Sequence, residues 1–322
     1  MTEIQATILR ELASPKRILL VGHRDPDGDS AGSLLALAEV LTGRDVYCYS
    51  QGLLPSRYEF LDPHGRLKGI IDPDFRPELA IAIEAPSIDR LADGVRMCTE
   101  GTRLINIDHH KDNTFYGEIN WVDTGAAALG EMIYAMLVAG GYTINVHAAT
   151  CLYTAILTDT GRFQYQGTSA RTLRICSELV ALGADPTAIT RQVYFGLPFS
   201  YLRLMQAALD GMQQAANGQI LALTLLPEHF QSAGARPEDA EGIIDLTQIS
   251  EGVKIGILFR QEGERAVKVS FRSQNSIDVG ALAAGLNGGG HRNASGCIIE
   301  GEIPKVRALV LERAAELLGA GR

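Results

Sequence analysis

The sequence has 322 residues, of which 46% are hydrophobic and 21% charged, and its formal net charge is −9 at pH 7. This composition is typical of a folded globular protein, and the length suits two domains better than one core. The negative charge argues against a protein that coats long nucleic acid, but allows a small phosphorylated substrate. No apolar run approaches the roughly 18–20 residues that cross a bilayer.

The N-terminal stretch MTEIQATILRELASPKR predicts an amphipathic helix and lacks the basic start and apolar core of an export signal. We therefore expect no export and a cytoplasmic location. The five cysteines are scattered, without a CxxC pair, which predicts buried free thiols in a reducing compartment. They are Cys48, Cys98, Cys151, Cys176 and Cys297.

The first half of the chain alternates apolar runs with helical patterns. Strands are predicted at residues 17–23, 45–50, 78–84 and 103–108, and helices at 30–41, 125–139, 146–158 and 168–182. Apolar strands that alternate with helices predict an α/β fold, in which a mostly parallel sheet carries helices on both faces. Ligands bind such sheets beyond the carboxyl ends of the strands.

The second half of the chain has a different pattern, which predicts a smaller α+β domain. Its predicted elements are strands at 219–226, 252–259 and 265–273, a helix at 278–286, a glycine-rich turn and a helix at 304–318. We place the first domain at 1–190, a helical connector at 191–217 and the second domain at 218–322.

The segment HRDPDGDS, residues 23–30, stands between the first predicted strand and its helix. Residues 26–28 are turn chemistry, and Asp29 or Ser30 can cap the helix, so a structural role accounts for the segment about as well as a functional one. A calcium loop is excluded, because an EF-hand would need glycine and glutamate where the sequence has Ser30 and Ala36.

Carboxylates and imidazoles also end three other predicted elements. Glu84 ends ELAIAIE, His109 and His110 follow Asp108 at the end of RLINID, and Asp159 follows a helix in AILTDTGRF. Each alone has a plain structural explanation, such as a helix cap or a solvated loop. Together they favour a two-metal site, since a parallel sheet brings such ends together.

These motifs resemble those of a known family. HRDPDGDS, DHH at 108–110 and LTDTGRF are similar to the motifs of the DHH phosphoesterases, and SFRS at 270–273 and GGGHRNASG at 288–296 resemble the accompanying DHHA1 domain. The resemblance covers nearly the whole chain, and the ordered combination of motifs is highly specific. In length and layout the chain is most similar to the bacterial oligoribonuclease and pAp phosphatase branch, where pAp is 3′-phosphoadenosine 5′-phosphate.

The resemblance implies two metal ions and assigns their ligands residue by residue. His23 and Asp27 would hold one ion, Asp29, His109 and Asp159 would hold the other, and the acid of the second motif would bridge both. His110 would reach the phosphoryl group, and is taken with Asp29 as catalytic. Mixed imidazole and carboxylate ligands suit Mn²⁺, with Mg²⁺ or Co²⁺ as substitutes. Two ions roughly 3.5–4 Å apart would lower the pKa of a shared water, and a bridging hydroxide would attack the phosphorus in line.

One position departs from the family pattern. The second motif normally carries aspartate, and here the aligned residue is Glu84, in AIEAPSIDR. Asp89 is the alternative, but it lies five residues further on in a predicted short helix, so we assign the bridging role to Glu84. The extra methylene leaves a catalytically weakened nucleotide-binding protein as an alternative.

By the same resemblance the second domain recognises the substrate. A glycine triplet alone more often marks a turn, but backbone N–H groups beside glycine can approach an anion closely, and arginine can hold phosphate with two hydrogen bonds. The implied substrate-binding residues are Arg272, Ser273, Gly288, Gly289, Gly290, His291 and Arg292.

The resemblance therefore predicts a metal-dependent hydrolase that acts on short oligoribonucleotides, on pAp, or on both. A phosphodiesterase of cyclic or linear dinucleotides stays open as an alternative, because those branches share both domains. Manganese-dependent pyrophosphatases lack, by resemblance, the GGGH-bearing domain, and RecJ-like exonucleases would need more chain. A membrane and long duplex nucleic acid are not expected partners, and a homodimer is expected from the resemblance alone.

Overall fold

The computed structural model describes residues 1–70, 72–91, 101–263, 265–274 and 277–320. The chain forms two compact units, Met1–Gly196 and Leu197–Arg322. Within the described ranges, no helix is both long enough and apolar enough to cross a membrane. The predicted domain bounds, 1–190, 191–217 and 218–322, stay a proposal.

The first unit is built around a parallel sheet. Its strands are Arg17–Gly22 (β1), Asp45–Tyr49 (β2), Leu67–Lys68 (β3), Leu79–Ile83 (β4), Arg103–Asp108 (β5) and Ile119–Val122 (β6). They pair in parallel in the order β3-β2-β1-β4-β5-β6. Strand β4 is buried at every position and β1 at all but its first, as expected of a sheet covered on both faces. The predicted α/β fold class is confirmed.

The helices of the first unit pack closely where they carry glycine. The described helices are Glu3–Ala13 (α1), Gly28–Val40 (α2), Leu129–Ala139 (α3), Val146–Asp159 (α4), Ala170–Ala181 (α5) and Pro186–Tyr194 (α6). A Cβ on Gly32 would lie 2.5 Å from the Cys151 carbonyl oxygen, and one on Gly28 would lie 2.5 Å from the Thr158 hydroxyl. Only glycine permits this approach, which places the start of α2 against the end of α4.

The strand order brings three chain segments to one point of the sheet edge. Strand β1 lies between β2 and β4, so the order reverses there, and parallel sheets bind ligands at such a point. Gly22 pairs with Ile83, and Ile83 pairs with Ile107. The residues that follow these three therefore leave the sheet side by side, beyond its carboxyl edge.

The second unit contains a mixed sheet. Its strands are Gln213–Ala215 (β7), Ile220–Leu225 (β8), Ile255–Glu262 (β9), Ala266–Ser273 (β10), Gly289–His291 (β11) and Ala294–Glu300 (β12). They lie in the order β11-β12-β10-β9-β8-β7, with β8 and β9 parallel and the other neighbours antiparallel. The described helices are Phe199–Asp210 (α7), Pro227–Ala233 (α8), Val279–Ala284 (α9) and Ile303–Ala320 (α10). The predicted smaller α+β unit is confirmed.

Two further sequence predictions concern the glycine-rich turn and the cysteines. The glycine-rich turn was wrong for Gly289 and Gly290, which pair with β12 as a strand. The free thiols are confirmed where they are described, since the buried cysteines carry no disulfide; these are Cys48, Cys151, Cys176 and Cys297. Cys98 lies outside the described residues.

Candidate metal centre

The first of two ligand clusters follows β1 and β4. His23, Asp27 and Glu84 each offer a ligand atom within 4.8 Å of the other two. His23 Nε2 lies 3.6 Å from Glu84 Oε2 and 3.9 Å from Asp27 Oδ1. His23 Nδ1 lies 2.7 Å from the Arg24 carbonyl oxygen. Because a carbonyl only accepts, Nδ1 carries the proton and the neutral ring presents the Nε2 lone pair to the carboxylates.

Asp27 also forms the N-cap of α2. Its Oδ1 accepts from the backbone N–H of Asp29 at 3.1 Å and of Ser30 at 2.9 Å. The cap is therefore Asp27 rather than Asp29 or Ser30, and such a cap contributes about 1 kcal/mol. The helix start thus fixes a half-exposed carboxylate beside His23.

The second cluster, Asp29, Glu84 and His109, is buried. The Asp29 carboxylate accepts from Ser33 Oγ at 2.9 Å and from the backbone N–H groups of Leu129 at 2.6 Å and Gly130 at 3.0 Å. These two amides begin α3, which has no side-chain cap of its own. Asp29 therefore caps α3 from 100 residues away and is fixed in position by that bond.

His109 is oriented like His23. Its Nδ1 lies 3.1 Å from the Ala126 carbonyl oxygen, and its Nε2 faces Asp159 Oδ2 at 3.5 Å and Asp29 Oδ2 at 3.8 Å. Histidines that bind metals usually donate the other ring N–H in this way. Asp159 is the last residue of α4, where a carboxylate is unfavourable beside the negative end of the helix dipole. A cation between these groups would offset that repulsion.

Glu84 belongs to both clusters. It is 2% exposed, and its Oε2 accepts no hydrogen bond within the described part of the chain. Burial raises its pKa well above the usual value, and so do the neighbouring carboxylates, which are Asp27, Asp29, Asp159 and Asp108. Its backbone is left-handed, with φ 56, at a cost of about 1–2 kcal/mol. A buried, repelled carboxylate on a strained backbone fits a site that holds a cation.

The protonation equilibria of the other ligands differ between the clusters. Burial raises the pKa of Asp29 to about 6, although His109 and the hydrogen-bond donors act against it. Burial alone would lower the pKa of His109, but Asp159 and Asp29 outweigh it and the pKa is raised. The pKa of His23 is lowered, chiefly by burial. The buried cluster therefore holds protons that a metal ion would displace.

The structure brings together the six residues that the family pattern names as metal ligands. They are His23, Asp27, Asp29, Glu84, His109 and Asp159. Two imidazoles with their Nε2 atoms turned inward and four carboxylates form a donor set that fits divalent cations once the protons are displaced. Asp89, the alternative to Glu84, lies exposed in the 3₁₀ helix Ile88–Arg90 and is in neither cluster.

The ring of His110 is oriented differently from that of His109. Its ring meets that of His109 edge to face at an interplanar angle of 75°. Its Nδ1 donates to Asp108 Oδ1 at 2.8 Å, and Asn113 Nδ2 donates to Asp108 Oδ2 at 2.6 Å. Burial acts to raise the pKa of Asp108, but these donors outweigh it and the pKa is lowered. Sequence reasoning missed Asn113 and this role of Asp108, because an asparagine in a loop carries no signal of its own.

The predicted substrate-binding residues lie in or next to β10 and β11, two strands of the second unit that are separated by β12. Arg272 Nε donates to Asp245 Oδ1 at 3.2 Å. Ser273 Oγ donates to the Ile277 carbonyl oxygen at 2.8 Å and accepts from Asn293 Nδ2 at 2.9 Å. In this structure Arg272 and Ser273 therefore have protein partners.

Two of the predicted glycines, Gly288 and Gly290, have a packing role. A Cβ on Gly288 would lie 2.2 Å from the Gly296 carbonyl oxygen, and one on Gly290 would lie 2.8 Å from Ser295 Cα. Gly290 also has φ 127, which L side chains rarely adopt. Glycine is thus required here by strand packing, with or without an anion. Among the remaining predicted residues, Gly289 and His291 lie in β11 and Arg292 follows it, exposed.

Comparison with known proteins divides the chain into the same two parts. Residues 17–156 match the DHH family, N-terminal domain, and residues 217–319 match the DHHA1 domain. A bifunctional oligoribonuclease and PAP phosphatase NrnA from Thermus thermophilus is 32% identical, over 97% of this chain and 93% of that protein. The enzyme of the same name from Bacillus subtilis is 27% identical, over 92% and 93% of the two chains.

A solved structure extends the similarity to the whole fold. The crystal structure of an exopolyphosphatase-related protein from Bacteroides fragilis matches with a TM-score of 0.86 and 25% identity, over 99% of this chain and 100% of that one. The matched domains, the full-length relatives and the paired ligand clusters agree. The chain belongs to the DHH/DHHA1 phosphoesterase family and is a metal-dependent hydrolytic enzyme.

Proposed function

We propose that this enzyme hydrolyses short oligoribonucleotides and pAp with two Mn²⁺ ions held by the two clusters. Support comes from the relatives, whose names state both activities and which align over nearly their full length. The two-ion assignment rests on one observation: the buried carboxylate of Glu84 offers a ligand atom to both clusters.

Manganese is proposed from the chemistry of the donors. The ligands combine imidazole nitrogen with carboxylate oxygen, which suits Mn²⁺ better than the all-oxygen, water-rich shell that Mg²⁺ prefers, and Mg²⁺ or Co²⁺ would act as substitutes. When bound, two such ions would stabilise charge on the phosphoryl oxygens and lower the pKa of a shared water.

His110 is proposed to contact the transferred phosphoryl group. Its Nδ1–H is donated to Asp108, which stays ionised because His110 and Asn113 both donate to it. The carboxylate accepts the Nδ1 proton and fixes the ring, which leaves Nε2 as the ring atom that would contact a phosphoryl oxygen. Asp29 is the other proposed catalytic residue, because its carboxylate offers a ligand atom within 4.8 Å of those of His109 and Glu84.

The second unit is proposed to bind a part of the substrate that lies away from the scissile bond. Arg272 would exchange Asp245 for a substrate phosphate, since a guanidinium binds either anion with paired hydrogen bonds. Ser273, His291 and Arg292 would complete this subsite, with the glycines at 288–290 letting the substrate approach the backbone.

Glu84 supports a competent enzyme rather than a weakened nucleotide-binding protein. Its extra methylene does not remove the carboxylate from either cluster, because Oε2 still lies 3.6 Å from His23 Nε2. A cytoplasmic location and a homodimer stay predictions from the sequence.

The proposal is tested by incubating the purified protein with Mn²⁺ and each of five substrates: pAp, an RNA dinucleotide, an RNA pentamer, cyclic di-AMP and pyrophosphate. We expect turnover of pAp and of the short RNAs, and none after removal of metal with a chelator. Turnover of pyrophosphate alone would contradict the proposal, and turnover of cyclic di-AMP alone would favour the dinucleotide phosphodiesterase. Absence of any turnover, with nucleotide binding intact, would favour the weakened enzyme.

A further inference from the structure

A charged group beside the metal centre has no part in the function proposed above. Arg171, near the start of α5, places NH1 3.5 Å from Asp123 Oδ2 and Nε 3.6 Å from Glu131 Oε2. Glu131 is 1% exposed, and its Oε1 accepts no hydrogen bond from any residue in the described ranges. A buried carboxylate requires a nearby cation, and Arg171 is the cation that pairs with it.

The two carboxylates that Arg171 joins delimit a short stretch of chain, residues 123–131, which we call the support segment. Its carbonyl at Ala126 accepts the His109 Nδ1 proton at 3.1 Å. Its amides at 129–130 donate to the Asp29 carboxylate at 2.6 and 3.0 Å. The support segment therefore holds two ligands of the buried cluster from behind.

The other cluster is held by different groups. His23 donates to the Arg24 carbonyl oxygen, and Asp27 accepts from the first amides of α2. These contacts are local to residues 23–30 and involve no atom of the support segment. A change in the support segment should therefore act on one metal position and spare the other.

We propose that Arg171 is a positioning residue for the buried metal position. By joining Asp123 to Glu131 it fixes both ends of the support segment, and so keeps His109 and Asp29 where they can bind one ion. This inference rests on the proposed two-metal site. Loss of a group bonded directly to a ligand typically weakens metal affinity about 10- to 100-fold, and Arg171 acts through one further contact, so its loss should have an effect at the lower end of that range.

The test uses two backgrounds that separate the metal positions. His23→Ala retains the buried position, and His109→Ala retains the exposed one. Arg171→Met is added to each, and Mn²⁺ binding to the metal-free protein is measured by calorimetry. We expect roughly 10-fold weaker binding in the His23→Ala background, the lower end of that range, and no change in the His109→Ala background. Equal loss in both backgrounds, or no loss in either, would overturn the inference.

A matched control and a second variant guard against a folding defect. Arg174→Met removes an exposed arginine from the same helix and should leave both affinities unchanged. Arg171→Met leaves Glu131 buried without its cation, so Arg171→Met/Glu131→Met removes both charges, which often restores stability. We expect the double variant to recover the melting temperature but not the affinity of the buried position, because Asp123 is still released. Recovery of both would show that Arg171 only neutralises Glu131.

The inference and the proposed function fail in distinguishable ways. Wild-type protein that binds fewer than two Mn²⁺ ions would contradict the metal assignment, and the inference with it. Wild-type protein that binds two ions, with affinities that Arg171→Met does not change in either background, would contradict the role of Arg171 alone.

Discussion

The two halves of the metal centre share Glu84 and differ in how their other ligands are held. The side chains of His23 and Asp27 are 18% and 45% exposed, and both are fixed by contacts within one short loop. Those of Asp29 and His109 are 1% and 2% exposed, and both are fixed by backbone groups from a distant part of the chain. One half is local and open, whereas the other is tertiary and buried.

From this difference we expect the two proposed metal positions to bind their ions differently. Buried ligands held rigidly lose little freedom on binding and interact in a medium of lower dielectric constant, so the buried position should bind more tightly. The open position should exchange its ion faster. The following predictions test this contrast.

The largest expected effect is that of Asp29→Ala. The change removes a ligand and leaves Ser33 Oγ and the first two amides of α3 without their acceptor. We expect a fall in kcat beyond the 10- to 100-fold typical of outer partners, and a loss of stability of about 2–3 kcal/mol in the metal-free protein. The measurements are steady-state kinetics and urea unfolding.

Asp27→Ala is the matched control, since it removes one ligand and one helix cap in the open half. Its stability loss should be near 1 kcal/mol. Equal destabilisation by the two variants would contradict the contrast between the halves.

Glu84→Gln should separate stability from metal binding. Without metal, burial and the neighbouring carboxylates disfavour the ionised form of Glu84 in the folded protein, so the amide should raise the melting temperature at pH 7, by roughly 2–4 °C for each kcal/mol. Addition of Mn²⁺ should stabilise the wild type strongly and the variant weakly, because both clusters lose their common ligand. Thermal unfolding with and without Mn²⁺ measures both effects; a variant less stable than the metal-free wild type would refute this account of Glu84.

His110→Ala should lower kcat without removing the metal ion from either half of the site. His110 Nδ1 bonds to Asp108, and His110 is not one of the six proposed metal ligands. We expect kcat to fall about 100-fold, as for loss of a positioned proton donor, with two Mn²⁺ ions still bound by calorimetry. Loss of both ions from this variant would contradict the role assigned to His110.

The smallest expected effect is that of pH on the buried half. The pKa of Asp29 is raised to about 6, so protons compete with metal there, and Mn²⁺ affinity in the His23→Ala background should fall as pH drops below about 6. The stability of the metal-free protein should depend on pH in the opposite direction. A raised carboxyl pKa means that the folded state binds protons more tightly than the unfolded state, so this group makes metal-free protein more stable as pH falls from about 6 to about 4. Asp29→Asn should flatten both dependences, and an unchanged slope would exclude Asp29 as their source.

The sequence was sufficient for features that depend on local pattern. Apolar strands followed by acids or histidines predicted which residues leave the sheet at its carboxyl edge, and His23, Glu84 and Asp108 are where that reasoning placed them. The EF-hand was correctly excluded from Ser30 and Ala36, since α2 runs through both positions.

Other features depend on contacts between distant residues and left no readable pattern. The cap that Asp29 provides to α3 joins residues 100 apart, and the ion pair of Arg171 with Glu131 joins two helices. Strand β11 was missed because a glycine-rich strand lacks the branched and aromatic residues that mark strands.

Anomalous diffraction from crystals grown with Mn²⁺ would show whether Glu84 bridges two ions, as proposed. The account predicts two manganese peaks, roughly 3.5–4 Å apart, with the Glu84 carboxylate between them. One peak should lie beside His23 and Asp27, and the other beside Asp29 and His109. A single peak, or two peaks that do not share Glu84, would contradict it.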